Sequence, residues 1–496
     1  MLKKTYHKNS NLMTSIIEKK EIFKFYSLFI ITVFVVYYTP DIFSQLVFLF
    51  FIILFLKSKK NYFWFAFIFV LYVEPNGLFS GQLFSEFQKI PIYNFGEKLI
   101  INFFDFFFIA VYFKFLLHKK RMKLILSNPL RILLGFMIFS YLYSIVLGMT
   151  LSIHFFTIRN WLPFLLFFSF PSLVDSEKDY LKFMYLLFPM ILFVLTGQIF
   201  EIVFGIKLAS LLLGDINLIA SLNDIPEYTG LLRVINASYL SFFCFLFSLF
   251  LLNLKSRINN KFYIYVILSA SIFSIYLSAT RGWIIAFIII LFLYFLRVEN
   301  NIFSTFGKIA LITILIFILL QFSPTLKKQT KNVADRLMTM KALIQGDITA
   351  QNTLSRLNIR GPKVMRKYWE HPVFGWGVSF ESYRNWDGHV GNQSLLMQAG
   401  IVGFILFFYY LFSLVRISFQ IEKKISKVNK YKNSLHIFSI ALFGLFIIHS
   451  SSAQMFGLIA KQRTNFIITL FFLFFHFFIR LVINEEKELQ IFNKSK

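Results

Sequence analysis

The side chains able to do chemistry are few in this chain, and most stand alone among apolar neighbours. An ionisable group at the centre of a bilayer costs ~2.5 to 3.5 kcal/mol on insertion scales, so any such group inside an apolar run is a functional candidate by default. Arg281 lies in Ala279-Thr280-Arg281-Gly282-Trp283, a very tight connection between two apolar runs. A planar guanidinium with five donors is suited to gripping a phosphate or diphosphate through two bonds, and the adjacent Gly282 lets a ligand approach the backbone. Arg159, in Ile158-Arg159-Asn160-Trp161, and Arg233, in Leu232-Arg233-Val234, also fall at the ends of apolar runs. An arginine there can equally be a snorkelling anchor. Asp105 sits in Phe103-Phe104-Asp105-Phe106-Phe107. It is expected about seven residues below the end of its helix, ~10 Å at 1.5 Å per residue. Such a carboxylate either keeps an arginine pointed inward or meets the ligand directly. His389, just before an apolar run resumes, and His449, in His449-Ser450-Ser451-Ser452, offer imidazoles that can take a proton near pH 7. The single Cys244 excludes an intramolecular disulfide and a cysteine metal cluster. No Asp-x-Asp occurs, and Asp335, Asp347, Glu370, Glu381 and Asp387 show no ligand spacing, so neither a metal nor a cofactor is expected.

The elements that must position these groups are membrane helices. Of 496 residues 57% are apolar and only 15% charged, against roughly 25% charged in a soluble domain. The net charge of +27 would suggest nucleic acid in a soluble protein, but the basic residues form short tracts between apolar runs, which is membrane topology and not nucleic-acid binding. Runs near the ~20 residues that cross a bilayer begin near Ile22, Ile42, Tyr62, Lys98, Ile132, Arg159, Lys182, Val234, Phe262, Gly282, Phe303, Ser394, Leu435 and Thr464. The expectation is an all-α polytopic membrane protein of about 14 spans, 12 to 14 allowing for the short runs. With Lys3, Lys4, Lys8, Lys19 and Lys20 placed inside, the tracts Lys57 to Lys60, Lys119 to Lys123, Lys255 to Lys261 and Lys423 to Lys432 also fall inside. Both termini are then cytoplasmic, and the span from Ile22 is a retained helix. Residues 1–321 hold the N-terminal spans, 322–393 one long outer loop, and 394–496 the last spans and tail, forming one integrated membrane domain.

The long loop is rich in aromatics. Trp376, Tyr383 and Trp386 are the rings available for stacking on a ligand. Between Leu354 and Trp369, the basic residues Arg356, Arg360, Lys363 and Lys367 are spaced to share one side of a helix, with Leu357, Val364 and Tyr368 on another and Gly361-Pro362 as a break. This pattern fits a helix lying in an interface, its cations on anionic lipid or diphosphate headgroups, or a solvated basic face.

Pro372-x-x-Gly375-x-Gly377 followed by His389, with Gly400-x-x-Gly403 opening the next span, resembles the end of the large periplasmic loop in the O-antigen ligase and O-antigen polymerase superfamily. Thr280-Arg281-Gly282 is similar to that family's Ser-Arg-Gly connection, and the segment ending in Arg233 is loosely similar to its other periplasmic arginine site. The resemblance covers roughly residues 202–483. It implies a metal-independent, inverting glycosyl transfer at the periplasmic face of the bacterial inner membrane, from an undecaprenyl-diphosphate-linked oligosaccharide to a saccharide or lipid A-core acceptor. In that reading His389 orients or deprotonates the attacking hydroxyl, and Arg281, with Arg233 or Arg159, holds the diphosphate. Arg356 and Arg360 are further candidate anion contacts, and Trp376, Tyr383 and Trp386 candidate sugar platforms. Family ligases carry a small polar residue after the histidine; Val390 there directs the reading to the polymerase branch. A non-enzymatic flippase of lipid-linked sugars is the rival class.

Overall fold

The computed structural model describes residues 19–73, 92–95, 99–118, 126–208, 234–254, 261–298, 323–338, 356–426 and 429–494, with a few isolated positions between 303 and 318. Arg233 and the tract Lys119 to Lys123 lie outside the described residues, as does most of the run from Phe303. Each of the other expected runs coincides with a helix or leads into one.

Among the described residues, seven helices are long and apolar enough to cross a membrane on their own: Lys19–Tyr38, Ser127–Val146, Leu151–Leu173, Glu177–Phe204, Gly391–Glu422, Lys432–Ser451 and Gln462–Ile491. The protein is therefore an integral membrane protein of the all-α class, and by length alone the number of qualifying helices is below the expected fourteen. Shorter apolar helices account for much of the difference, among them Asn61–Val73, Ser238–Asn253 and Lys261–Leu277. Thirteen residues from Asn61 to Val73 span only ~20 Å. That helix is buried along nearly its whole length, so its ends meet protein and not lipid, the condition under which irregular backbone is tolerated at membrane depth.

The last helix, Gln462–Lys494, is the centre of the bundle. Phe466, Phe471, Phe474 and Phe475 on it have no exposed surface, and Phe474 meets the rings of Tyr180, Phe183 and Phe247 at centroid separations of 4.9 to 5.2 Å. Polar anchors mark the two ends. At one end Lys60 and Lys182 converge on the buried Glu21 at 2.9 and 3.4 Å. At the other end Asp105, Arg159 and Gln462 meet, and there the helix starts at Arg281 and Gly391 also gather.

Two elements near the site end differ from the sequence expectation. The run from Lys98 begins as a strand: Ile92–Phe95 and Leu99–Asn102 pair antiparallel, the one sheet among the described residues. The helix therefore starts only at Phe103, and Asp105 occupies its first turn instead of lying ~10 Å below its end. Asn102 and Asp105 form a reciprocal capping box, with Asp105 N donating to Asn102 Oδ1 at 3.1 Å and Asn102 N donating to Asp105 Oδ2 at 2.7 Å. The other element is the basic stripe. Arg356–Arg360 and Gly361–Tyr368 form a continuous helical segment with Pro362 in a first-turn position, where its missing N–H costs nothing. Its apolar side chains Val364 and Tyr368 pack on Val390 and Met397. The stripe is thus a lid on protein and not a helix lying in lipid.

Candidate functional site

The helix Gly391–Glu422 is broken at Gly400, whose φ of 62° lies in the left-handed region. The break frees carbonyls and N–H groups, and the segment after His371 satisfies them: Trp376 N donates to Met397 O at 2.9 Å, Gly377 N to Gln398 O at 2.7 Å, Ile401 N to Pro372 O at 2.9 Å and Val402 N to Val373 O at 3.1 Å. The approach is close enough to require glycine. A Cβ on Gly400 would lie 2.3 Å from Val373 O, and one on Gly375 2.5 Å from the backbone of Gln398 and Gly400. The Pro372-x-x-Gly375-x-Gly377 pattern and Gly400 are thus two halves of one joint, which carries the chain on to His389.

His389 is exposed, and two bonds place it. Its backbone N donates to Asp387 Oδ1 at 2.9 Å, and its Nδ1 lies 3.0 Å from Ser452 O. A carbonyl only accepts, so Nδ1 carries a proton and Nε2 is the ring nitrogen available to act as a base. Asp387 is itself gripped by Arg360 through two bonds, one of them from Nη2 at 3.0 Å. The turn after Ser451 is fixed from behind by His449, which is 1% exposed; its Nδ1 accepts from Met455 N at 3.1 Å and Phe456 N at 3.3 Å.

The same turn meets Gly282, the neighbour of Arg281. A Cβ on Gly282 would lie 2.4 Å from Ser452 Cβ, so the tight connection is pressed against Ser451 and Ser452. Arg356 Nη1 donates to Ser451 O. Burial and the nearby cations Arg360 and Arg281 push the Arg356 guanidinium below its usual value, and Asp387 acts against them. Arg281, Arg356, Arg360 and His389 are therefore collected around Ser451–Ser452. Beside them a cavity of about 470 Å³ is lined by Tyr239, Arg360, Trp386, Asp387, His389, Ser452, Gln454, Lys461 and Arg463, with smaller residues between. Arg281 is not part of that lining.

The other expected site residues divide. Trp386 lines the cavity, its Nε1 donating to Gln454 Oε1. Trp376 instead donates to Lys367 O at 2.9 Å and lies under the Lys367 ammonium at 4.1 Å, and Tyr383 packs against Phe156 with its hydroxyl 3.2 Å from Thr157 Oγ1. Both brace the loop away from the cavity. Asp105 is 1% exposed and paired with Arg159 Nε at 2.9 Å. Gln462 Nε2 donates to Asp105 Oδ1 at 2.6 Å, and Gln462 N to Asn160 Oδ1 at 3.0 Å, so this network ties down the start of the last helix. Val390 turns away from the cavity into the cluster with Val364, Tyr368 and Met397.

Lys461, Arg463, Tyr239 and Asp387 do not stand out as site residues in the sequence. Lys461-Gln462-Arg463 does carry a signal: two cations immediately before an apolar run, on the side that the expected topology makes the outer one, where cations are disfavoured. Among the described residues no three His, Cys, Asp or Glu side chains gather into a group that could hold a metal ion.

A bundle of apolar helices carrying arginines and a histidine at one end defines a polytopic membrane protein with an anion-competent site. Residues 264–408 match the family model described as O-antigen ligase. The match takes in Arg281, Arg356, Arg360, His389 and the Gly400 joint, and is narrower than the stretch over which the motifs resemble the family. No curated protein matches the sequence.

Proposed function

We propose that the protein is a surface-polysaccharide polymerase. It transfers a glycan from an undecaprenyl-diphosphate carrier to a saccharide hydroxyl at the periplasmic face of the inner membrane, with inversion and without a metal. The observation that carries this is the state of His389: Nδ1–H bound to Ser452 O and Nε2 left as a base beside a cavity flanked by guanidinium groups. The acceptor hydroxyl oxygen attacks the anomeric carbon, the bond from that carbon to the diphosphate oxygen breaks, and the hydroxyl proton passes to Nε2. Arg281 and Arg356 then stabilise the charge that develops on the leaving lipid diphosphate, the task a divalent cation performs elsewhere. Positioned general-base catalysis contributes ~10²- to 10⁴-fold.

Purified protein, given undecaprenyl-diphosphate-linked repeat units with a chelator present, is expected to elongate them. His389→Ala should slow elongation by roughly 100-fold or more, and Arg281→Ala by a comparable factor. Elongation that survives both substitutions removes the proposed site. A lipid A-core acceptor in a parallel reaction separates the ligase alternative: transfer to it in preference to a second repeat unit identifies a ligase.

A further inference from the structure

The cavity beside His389 holds more cationic charge than the leaving group's guanidinium pair explains. Arg356 donates to Ser451 O and Arg281 adjoins Gly282, which presses on Ser451 and Ser452, whereas Lys461 and Arg463 line the cavity itself together with His389 and Trp386. Arg360, the third cation of the lining, is already neutralised by Asp387. Among the described residues Lys461 and Arg463 have no carboxylate partner, and Arg463 is held only over the ring of Tyr239, at 5.2 Å from its centroid. A ring beneath a guanidinium leaves the in-plane N–H donors for an acceptor. The placement is also electrostatically adverse: both cations stand at the N-terminal end of the helix Gln462–Lys494, where the backbone dipole is positive and favours an anion. That helix start is held by the bonds from Gln462 to Asp105, Asn160 and the Arg159 carbonyl, so the backbone that carries the pair is fixed beside the cavity.

From this arrangement we infer that Lys461 and Arg463 form a second anion subsite that binds a carboxylate on the acceptor sugar, so that the residue offering the attacking hydroxyl is a hexuronate. The inference rests on the glycosyl-transfer reading and adds the acceptor's class to it. The carboxylate sits against Lys461 and Arg463, Trp386 and Tyr239 supply ring faces, and the hydroxyl is presented to His389. No bond to the carboxylate forms or breaks; it fixes the acceptor while the donor diphosphate leaves on the Arg281 and Arg356 side. A second diphosphate is the poorer occupant, because an acceptor's carrier is separated from its reacting hydroxyl by the length of the glycan.

Two acceptors decide the matter, one ending in a hexuronate and one in the same sugar with its carboxyl reduced to the alcohol. The full-length protein is expected to use the hexuronate at least tenfold more efficiently. The variant Lys461→Ala with Arg463→Ala should lose that preference through a raised acceptor KM while the donor KM is unchanged, and Arg463→Lys should restore part of it. Equal use of both acceptors by the unaltered protein overturns the inference, as does an equal rise in donor KM in the double variant, which would assign the pair to the donor diphosphate. A binding readout is independent of turnover. Methyl glucuronide should bind the purified protein, seen by saturation-transfer NMR, where methyl glucoside does not, and farnesyl diphosphate should not displace it. Displacement, or no discrimination between the two glycosides, sinks the subsite. Failure of transfer with both acceptors while the glucuronide binds in this way overturns the proposed reaction and not the subsite.

Discussion

His389 acquires its proposed chemistry from the backbone carbonyl of Ser452, not from a carboxylate, since the bond at 3.0 Å sets which nitrogen is protonated. Nothing in the sequence around His389 announces this, because the partner is 63 residues away. Asp105 shows the opposite case: its isolation among phenylalanines marks it as unusual, but an apolar setting cannot distinguish a ligand contact from a buried structural pair. The structure gives it Arg159, Gln462 and the Asn102 cap, which together satisfy both oxygens. This makes a prediction at the residue scale. Arg159→Ala leaves a carboxylate that is 1% exposed without its cation, and breaking a buried pair in this way costs about 3–5 kcal/mol. A thermal unfolding series in detergent should show a large loss for Arg159→Ala and a smaller one for Arg159→Ala combined with Asp105→Asn, which removes the stranded charge. Losses that simply add would mean the two side chains are not energetically paired.

Element boundaries are the part least legible in the sequence. Leu99–Asn102 is as apolar as the helix it precedes, so hydropathy merges a strand with a helix and displaces Asp105 by about one and a half turns. The glycine motif is legible as a pattern but not as a joint: Gly400 reads from sequence as helix packing, yet its φ of 62° breaks the helix and exposes the backbone groups that Pro372 to Gly377 complete. Gly403, by contrast, does serve packing, since a Cβ there would lie 2.3 Å from the Phe136 ring. Gly400→Ala should therefore combine the cost of a left-handed alanine, roughly 1–2 kcal/mol, with a clash against Val373 O. The expected result is faster proteolysis of the loop before Gly391 and loss of transfer activity. Gly135→Ala, where nothing lies within 4 Å of the added Cβ, should leave both unchanged. Equal behaviour of the two variants would mean that the joint does not hold the loop.

At the scale of the whole molecule, the membrane class is legible from composition, because no soluble core could hide 70 phenylalanines, while the span count is not. Length fails as a criterion for helices such as Asn61–Val73 that are solvated by other helices. The alternation of ends is more robust than the count: Lys60 and Lys182 meet Glu21 at one end, and Arg281, His389 and Gln462 lie at the other. If the site end is periplasmic and the termini cytoplasmic, as proposed, exposed positions at the two ends must react differently with a reagent that cannot cross the membrane. The only cysteine, Cys244, is fully buried and gives little background once replaced by serine. Lys363 and Lys59 are both exposed, the first beside the site and the second at the opposite end. On spheroplasts, a membrane-impermeant maleimide should label Lys363→Cys directly and Lys59→Cys only after lysis. Reversal of the two would place His389 in the cytoplasm, where the proposed transfer to a periplasmic acceptor could not occur.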